Sequence, residues 1–323
     1  MTRLRLLTLA DIRRAAETLR PHLRPTPLRR SFAMRPSAVY LKLECWQPTG
    51  SFKVRGALNN LASLTPDEQR RGVVAASAGN HALGVAFAAQ ALGGRVEATL
   101  FVPATAPRTK VEKLRTYDVK VEERGDTYDD AFAEAMAYVQ RSGARYVHAF
   151  DDPSTAAGQG TVATEVLDEL PETATIVVPV GGGGLIAAIA TAAKALKPSI
   201  RIVAVQPEAS PSLRESLKRG EPLLQYPAGP TLADGIAGGI GEIVFAHRHL
   251  IDEVVEVSEA EIEDAVVALL AEDQVVAEGS GAVGVAALRS GKLSLGDAGP
   301  AVAVVTGGNI DLQALARLLR DRD

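Results

Sequence analysis

Short runs of consecutive Val, Ile, Leu and Ala alternate along the chain with longer stretches in which apolar residues return every three or four positions. The first pattern reads as strands buried on both faces, the second as helices with one apolar stripe. Strands are expected over 39–44, 72–77, 95–103, 118–123, 144–150, 175–180, 199–206 and 301–306. Helices are expected over 80–92, 107–117, 127–143, 154–170, 185–196 and 311–319. Thr8 with Asp11, and Ser258 with Glu261, have the spacing of capping boxes and start two more, the first running to Leu19 and the second over 259–273. Val54, Ala57, Leu58 and Leu61 mark a further helix behind Lys53. Repeated strand–helix units of this kind predict an α/β protein with open, mostly parallel sheets covered on both faces. The Pro- and Gly-rich stretch 207–240 is the least regular and reads as a long functional loop.

A length of 323 residues suits about two domains. The net charge of −4 gives nucleic acid no footing. No apolar run reaches the roughly 18 residues of a membrane span, and the N-terminal apolar run is too short for a secretory signal. Cys45 is the only cysteine, so no internal disulfide is expected, which fits a cytoplasmic protein. His247 and His249 flank Arg248 and are expected at the surface rather than on a metal.

Four turns fall at strand ends, where open α/β sheets bind ligands. In "QPTGSFKVRGALNN" Lys53 stands at a helix start, the wrong end of the dipole for an ammonium. A lysine desolvated there has the makings of a base or nucleophile. In "SAGNHALG" the amides after Gly79, with Ser77, Asn80 and His81, suit an anion such as a carboxylate. In "VPVGGGGLIAAIA", Gly181, Gly182, Gly183 and Gly184 leave backbone bare before a helix, as a phosphate requires. Gly182, Gly184 and Ala187 also satisfy G-x-G-x-x-A, so a dinucleotide and a nicotinamide-dependent oxidoreductase are rivals. In "VVTGGNID", Thr306 puts a hydroxyl at a strand end. A lysine, a phosphate cradle, a carboxylate pocket and a hydroxyl together describe a pyridoxal phosphate site.

These motifs resemble the fold type II (tryptophan-synthase-β-like) pyridoxal phosphate enzymes, in the threonine/serine dehydratase and serine racemase branch. "LKLECWQPTGSFKVRGALNNL", "SAGNHALGVA", "AGQGTVATEV", "VPVGGGGLIAAIA", "TLADGIA", "GSGAVGVAAL" and "VVTGGNID" stand in that family's order. The resemblance implies two αβα domains: a large cofactor-binding domain from 1–69 and 149–323, and a small mobile domain, 70–148, carrying the substrate loop. It implies that Lys53 is the Schiff-base lysine and the base for the substrate's α-proton, with Phe52 beside the cofactor. Asn80 would bond the cofactor's ring oxygen. Gly181, Gly182, Gly183, Gly184 and Leu185 would hold the phosphate, and Thr306 would meet the ring nitrogen. Ser77, Ala78, Gly79, Asn80 and His81 would take the substrate carboxylate. Most relatives are at least dimers, so a homodimer or higher homo-oligomer is implied.

Two departures refine the reading. Ala78 replaces the second serine of the racemase loop, and a methyl group carries no proton, so elimination is favoured over racemisation. Some relatives bind a cation through a glutamate, a carbonyl and an aspartate. Glu208 and Ser212 match the first two, but Arg214 replaces the aspartate and is expected to pair with Glu208, so no metal is implied. No regulatory domain is expected after "VVTGGNID". The expected activity is dehydration and deamination of an L-β-hydroxy amino acid, threonine first and serine second. Hydroxyaspartate or phenylserine dehydration, serine racemisation and a non-catalytic cofactor-binding role are the alternatives.

Overall fold

In the computed structural model, which describes residues 5–296 and 298–320, the ten strands among the described residues fall into two sheets. The six-stranded sheet contains β1 (Leu28–Arg30), β2 (Val39–Lys42), β7 (Thr175–Pro179), β8 (Arg201–Pro207), β9 (Glu253–Val257) and β10 (Ala301–Val304), ordered β1-β2-β10-β7-β8-β9. The other contains β3 (Val73–Ala76), β4 (Ala98–Val102), β5 (Lys120–Glu123) and β6 (Arg145–Tyr146), ordered β5-β4-β3-β6. Only the β1–β2 pair is antiparallel among these.

Side-chain alternation explains why the strands read as continuous apolar runs. In β7, Ile176 and Val178 enter a core with the helices Leu9–Leu19, Pro153–Glu169 and Gly184–Leu196. Val177 points to the opposite core, shared with Glu259–Asp273 and Gly279–Arg289. In the smaller sheet, Val73 and Ala75 meet the helix Asn80–Ala91, while Val74 and Ala76 meet Tyr128–Ser142. The helix Lys53–Ala62 buries Val54, Ala57, Leu58 and Leu61 in that same smaller core. Its opposite face lies against Pro153–Glu169, where a Cβ on Gly56 would come within 2.5 Å of the Thr155 carbonyl oxygen. This one helix therefore joins the two layers.

Several expectations change. The stretch 207–240 contains a helix, Ser212–Arg219, ended by Gly220 in the left-handed region (φ 76°). Of 144–150 only Arg145–Tyr146 is strand, because the chain turns away there toward Lys53. His247 is buried rather than at the surface: its Nδ1 donates to the Ile243 carbonyl, and its Nε2 accepts from the Leu7 amide at 3.0 Å. No helix among the described residues is long and apolar enough to cross a membrane.

Candidate active site

β2, β10 and β7 are neighbours, so the turns at their carboxyl ends converge. Gly50 takes φ +76°, which turns the chain after Gln47, and its carbonyl accepts from the Gly308 amide at 2.9 Å. Ser51 pairs with Gly307 as an antiparallel bridge, and the Phe52 amide donates to the Thr306 carbonyl at 3.0 Å. These bonds hold Lys53 against the strand end that carries Thr306. One cavity is lined by Phe52, Lys53, Gly181, Gly182, Gly183, Gly184, Leu185 and Thr306. Ala78, Gly79 and Asn80 line a second cavity of about 790 Å³ that shares Gly235 with the first.

Lys53 Nζ donates to the Ala149 carbonyl at 2.8 Å. Burial lowers its pKa from 10.5 to about 8, against an upward pull from Glu278. The free amine is thus accessible near neutral pH, as nucleophilic chemistry requires. The cost falls on stability. Between pH 8 and 10.5 the unfolded lysine holds more proton than the folded one, so folding gains as pH rises through that window; below pH 8 the full penalty stands. Cofactor-free Lys53→Met should therefore be more stable than wild type at pH 7 by on the order of 2 kcal/mol. The gap should close by pH 10.5, and denaturant unfolding at both pH values measures it.

The glycine loop is bare for a reason the sequence does not show. A Cβ on Gly182 would lie 2.2 Å from Cγ of Phe150, and one on Gly183, at φ +86°, would lie 2.4 Å from Cβ of Val244. The loop is wedged between protein segments, and that packing presents its amides at the start of the helix Gly184–Leu196. That helix and Asn80–Ala91 both begin without a side-chain cap, as do Lys53–Ala62, Arg108–Leu114, Ser212–Arg219 and Gly279–Arg289, whereas Thr8, Thr65, Thr127, Asp152 and Ser258 cap their helices. Lys53 thus lies between two helix N-termini with amides left for anions.

The second loop is set by its own bonds. Ser77 Oγ accepts from the Gly79 amide at 3.1 Å. A Cβ on Gly79 would meet nothing within 4 Å, so that side faces open space. His81 Nε2 lies 2.8 Å from the Val147 carbonyl, and burial with the nearby Lys53 lowers its pKa to about 3. Its ring is neutral and its proton is on Nε2, committed to Val147, while Nδ1 is buried and unpartnered. The group His81 has left for an anion is its backbone amide. Thr306 Oγ1 is buried, with a long 3.4 Å bond to the Ser280 carbonyl, which leaves it free to turn.

A scan of family models matches residues 19–307 to the pyridoxal-phosphate-dependent enzymes. The chain belongs to that family. As a pyridoxal-phosphate-dependent enzyme of fold type II it is 44% identical to the L-threonine ammonia-lyase of Thermotoga maritima, over 97% of this chain and 78% of that one. It is 40% identical to the catabolic L-threonine dehydratase of Staphylococcus aureus, over 97% and 92%. Maize serine racemase superposes with a TM-score of 0.91 at 34% identity, over 98% of each chain.

The donor set of this pyridoxal-phosphate-dependent enzyme fits its cofactor: an amine of lowered pKa, an uncapped helix start for a dianion and a neutral strand-end hydroxyl lie in one cavity. The two glycines of the spacing that also suited a dinucleotide, Gly182 and Gly184, are both accounted for by Phe150, which a Cβ at either would strike. Three contributors carry no motif of their own. Ala149 and Phe150, where the chain crosses between sheets, touch Lys53 and the glycine loop. Glu278, half-buried at the start of Gly279–Arg289, accepts from Asn80 Nδ2 at 2.7 Å. Burial raises its pKa to about 7, opposed by the Asn80 bond. A lone acid directly before "GSGAVG" was its one signal in the sequence.

The pairing expected for Arg214 is not found. Its guanidinium pairs with Glu256 and donates to the Val254 carbonyl. Glu208 instead meets Lys292, whose ammonium lies 2.9 Å from Glu208 and 2.8 Å from Glu261. Arg214 lies on Ser212–Arg219, facing β9, which turns it away from Glu208.

Proposed function

We propose that this enzyme deaminates an L-β-hydroxy amino acid by eliminating its β-hydroxyl as water, which the later hydrolysis returns, converting L-threonine to 2-oxobutanoate and ammonia and, second, L-serine to pyruvate and ammonia. The observation that carries the reading is the Lys53 amine, held at the Ala149 carbonyl between two uncapped helix starts. The relatives named for threonine ammonia-lyase and dehydratase activity support the substrate.

Pyridoxal phosphate, when bound, supplies the electron sink that acidifies the α-proton of an attached amino acid. The chain supplies the rest. Gly181, Gly182, Gly183, Gly184 and Leu185 would hold the cofactor's phosphate, with Phe52, Thr306 and Asn80 as the side chains that would receive its ring. The loop from Ser77 to His81 takes the carboxylate through backbone amides. Lys53 receives the α-proton, which balances the one the β-hydroxyl needs to leave as water; hydrolysis later returns one water and frees ammonia. Ala78 offers the cavity only a methyl group, so the loop lacks the second proton carrier that racemisation needs. Purified holoenzyme given L-threonine and L-serine should release keto acid from both, faster from threonine, with chiral chromatography showing little D-serine. Chiral inversion outpacing keto acid would overturn elimination as the main reaction.

A further inference from the structure

The hydrogen bonds around Asn80 form one chain that crosses the cleft between the sheets three times. Lys113, on the helix Arg108–Leu114 beside the four-stranded sheet, donates to Asn309 Oδ1 at 2.7 Å. Asn309, just beyond β10 of the six-stranded sheet, donates through Nδ2 to the Thr49 carbonyl at 2.9 Å and to Asn80 Oδ1 at 2.7 Å. Asn80, at the start of a helix on the four-stranded side, donates through Nδ2 to Glu278 on the other side.

The polarity of this chain is fixed at its ends. An ammonium only donates, and a carbonyl or carboxylate only accepts. The atom of Asn309 facing Lys113 must therefore be oxygen, and the one facing Thr49 must be nitrogen. Both N–H groups of Asn309 are then spent, so Asn80 must present oxygen to it and its own amide nitrogen to Glu278. That leaves Asn80 one N–H without a partner in the chain. Beside it, Lys110, one turn from Lys113, comes within 4.0 Å of Asp234 across the same cleft. Opening the cleft would break all three crossings and release the Asn80 amide to rotate.

We propose that Lys113, Asn309 and Glu278 are positioning residues: their chain latches the cleft and, in the same act, aims the remaining N–H of Asn80 at the cofactor's ring oxygen. The second half of this rests on the cofactor contacts proposed above; the latch does not. Chemistry then proceeds only in the closed, water-poor cleft.

The test compares Lys113→Met, Lys113→Arg, Asn309→Ala and their Met/Ala double variant with wild type. Hydrogen exchange of segment 77–84 is read in the cofactor-free chain, and the absorbance of bound pyridoxal phosphate, kcat and KM in the holoenzyme. Lys113→Met and Asn309→Ala should each speed exchange at 77–84, shift the bound-cofactor absorbance and lower kcat by about 10- to 100-fold, the usual cost of a misplaced orienting group. Lys113→Arg keeps a donor and should recover most of this. The double variant should cost no more than the worse single one, since both break one chain. Unchanged exchange and absorbance in both single variants would overturn the proposal, as would full additivity. Failure of wild type to take up the cofactor would overturn the proposed reaction and the aiming of Asn80, while exchange in the cofactor-free chain would still decide the latch.

Discussion

Lys53→Ala should retain the fold and lose turnover by about a thousandfold or more, because nucleophile and base are removed together. No other side chain lining the cavity replaces it. Glu278 lines the neighbouring cavity, but its carboxyl is held by Asn80 and cannot form a covalent bond to the cofactor's carbonyl. His81 is neutral, with its one N–H spent on Val147. The variant should still bind pyridoxal phosphate through the glycine loop, but without the covalent bond and the visible absorbance that goes with it. Keto acid release with threonine, spectra with added cofactor and melting of the cofactor-free chain make the test. Turnover within tenfold of wild type would remove Lys53 from the mechanism.

Arg55→Met should cost roughly 3–5 kcal/mol of stability, the usual price of breaking a buried ion pair on one side. Arg55 lies two residues after Lys53 and is 1% exposed. Its Nε and Nη2 grip both oxygens of Glu44 at 2.7 Å, and Nη1 and Nη2 grip Glu165 at 2.6 and 2.7 Å. Lys42 completes the cluster on Glu165 and the Thr26 carbonyl. Burial alone would raise the Glu44 carboxyl, but Arg55, followed by Lys42 and Thr26, outweighs it, so the pKa stands below 4.5. In wild type that stabilisation is present above the ordinary carboxylate range and is lost as pH falls through the lowered value. Without Arg55, Glu44 is a buried carboxylate short of its main partner, and the loss should widen as pH rises from 4 to 7. Denaturant unfolding at both ends of that range shows it. An equal loss at both would mean that packing, not charge, is what Arg55 contributes.

The parts of this molecule legible in its sequence are those decided by near neighbours. Thr8 and Asp11, or Ser258 and Glu261, make their capping boxes from residues three apart, and both helices begin where expected. The four glycines announce a loop that needs bare backbone, although which neighbours press on it, Phe150 and Val244, is a matter of the tertiary fold. β9 escaped notice because its "EVVEV" is a half-buried edge strand with glutamates at its first and fourth positions, so it lacks the apolar run of the central strands. The partners of Asn80 lie 198 and 229 residues away in sequence, and no local pattern predicts them. Arg214 shows the same limit: residue type allowed a bond to Glu208, and helix orientation decided otherwise.

The crossover between the two sheets has a consequence for anyone recombining this scaffold. His148 Nδ1 accepts from the Phe150 and Asp151 amides, Asp151 accepts from the Glu242 and Ile243 amides, and Asp152 caps Pro153–Glu169. The same few residues touch the lysine and wedge the glycine loop. A chimera that borrows the four-stranded lobe from a relative and joins it anywhere in 148–152 splits one interlocked part between two parents. Junctions placed upstream of Val147 leave that part whole.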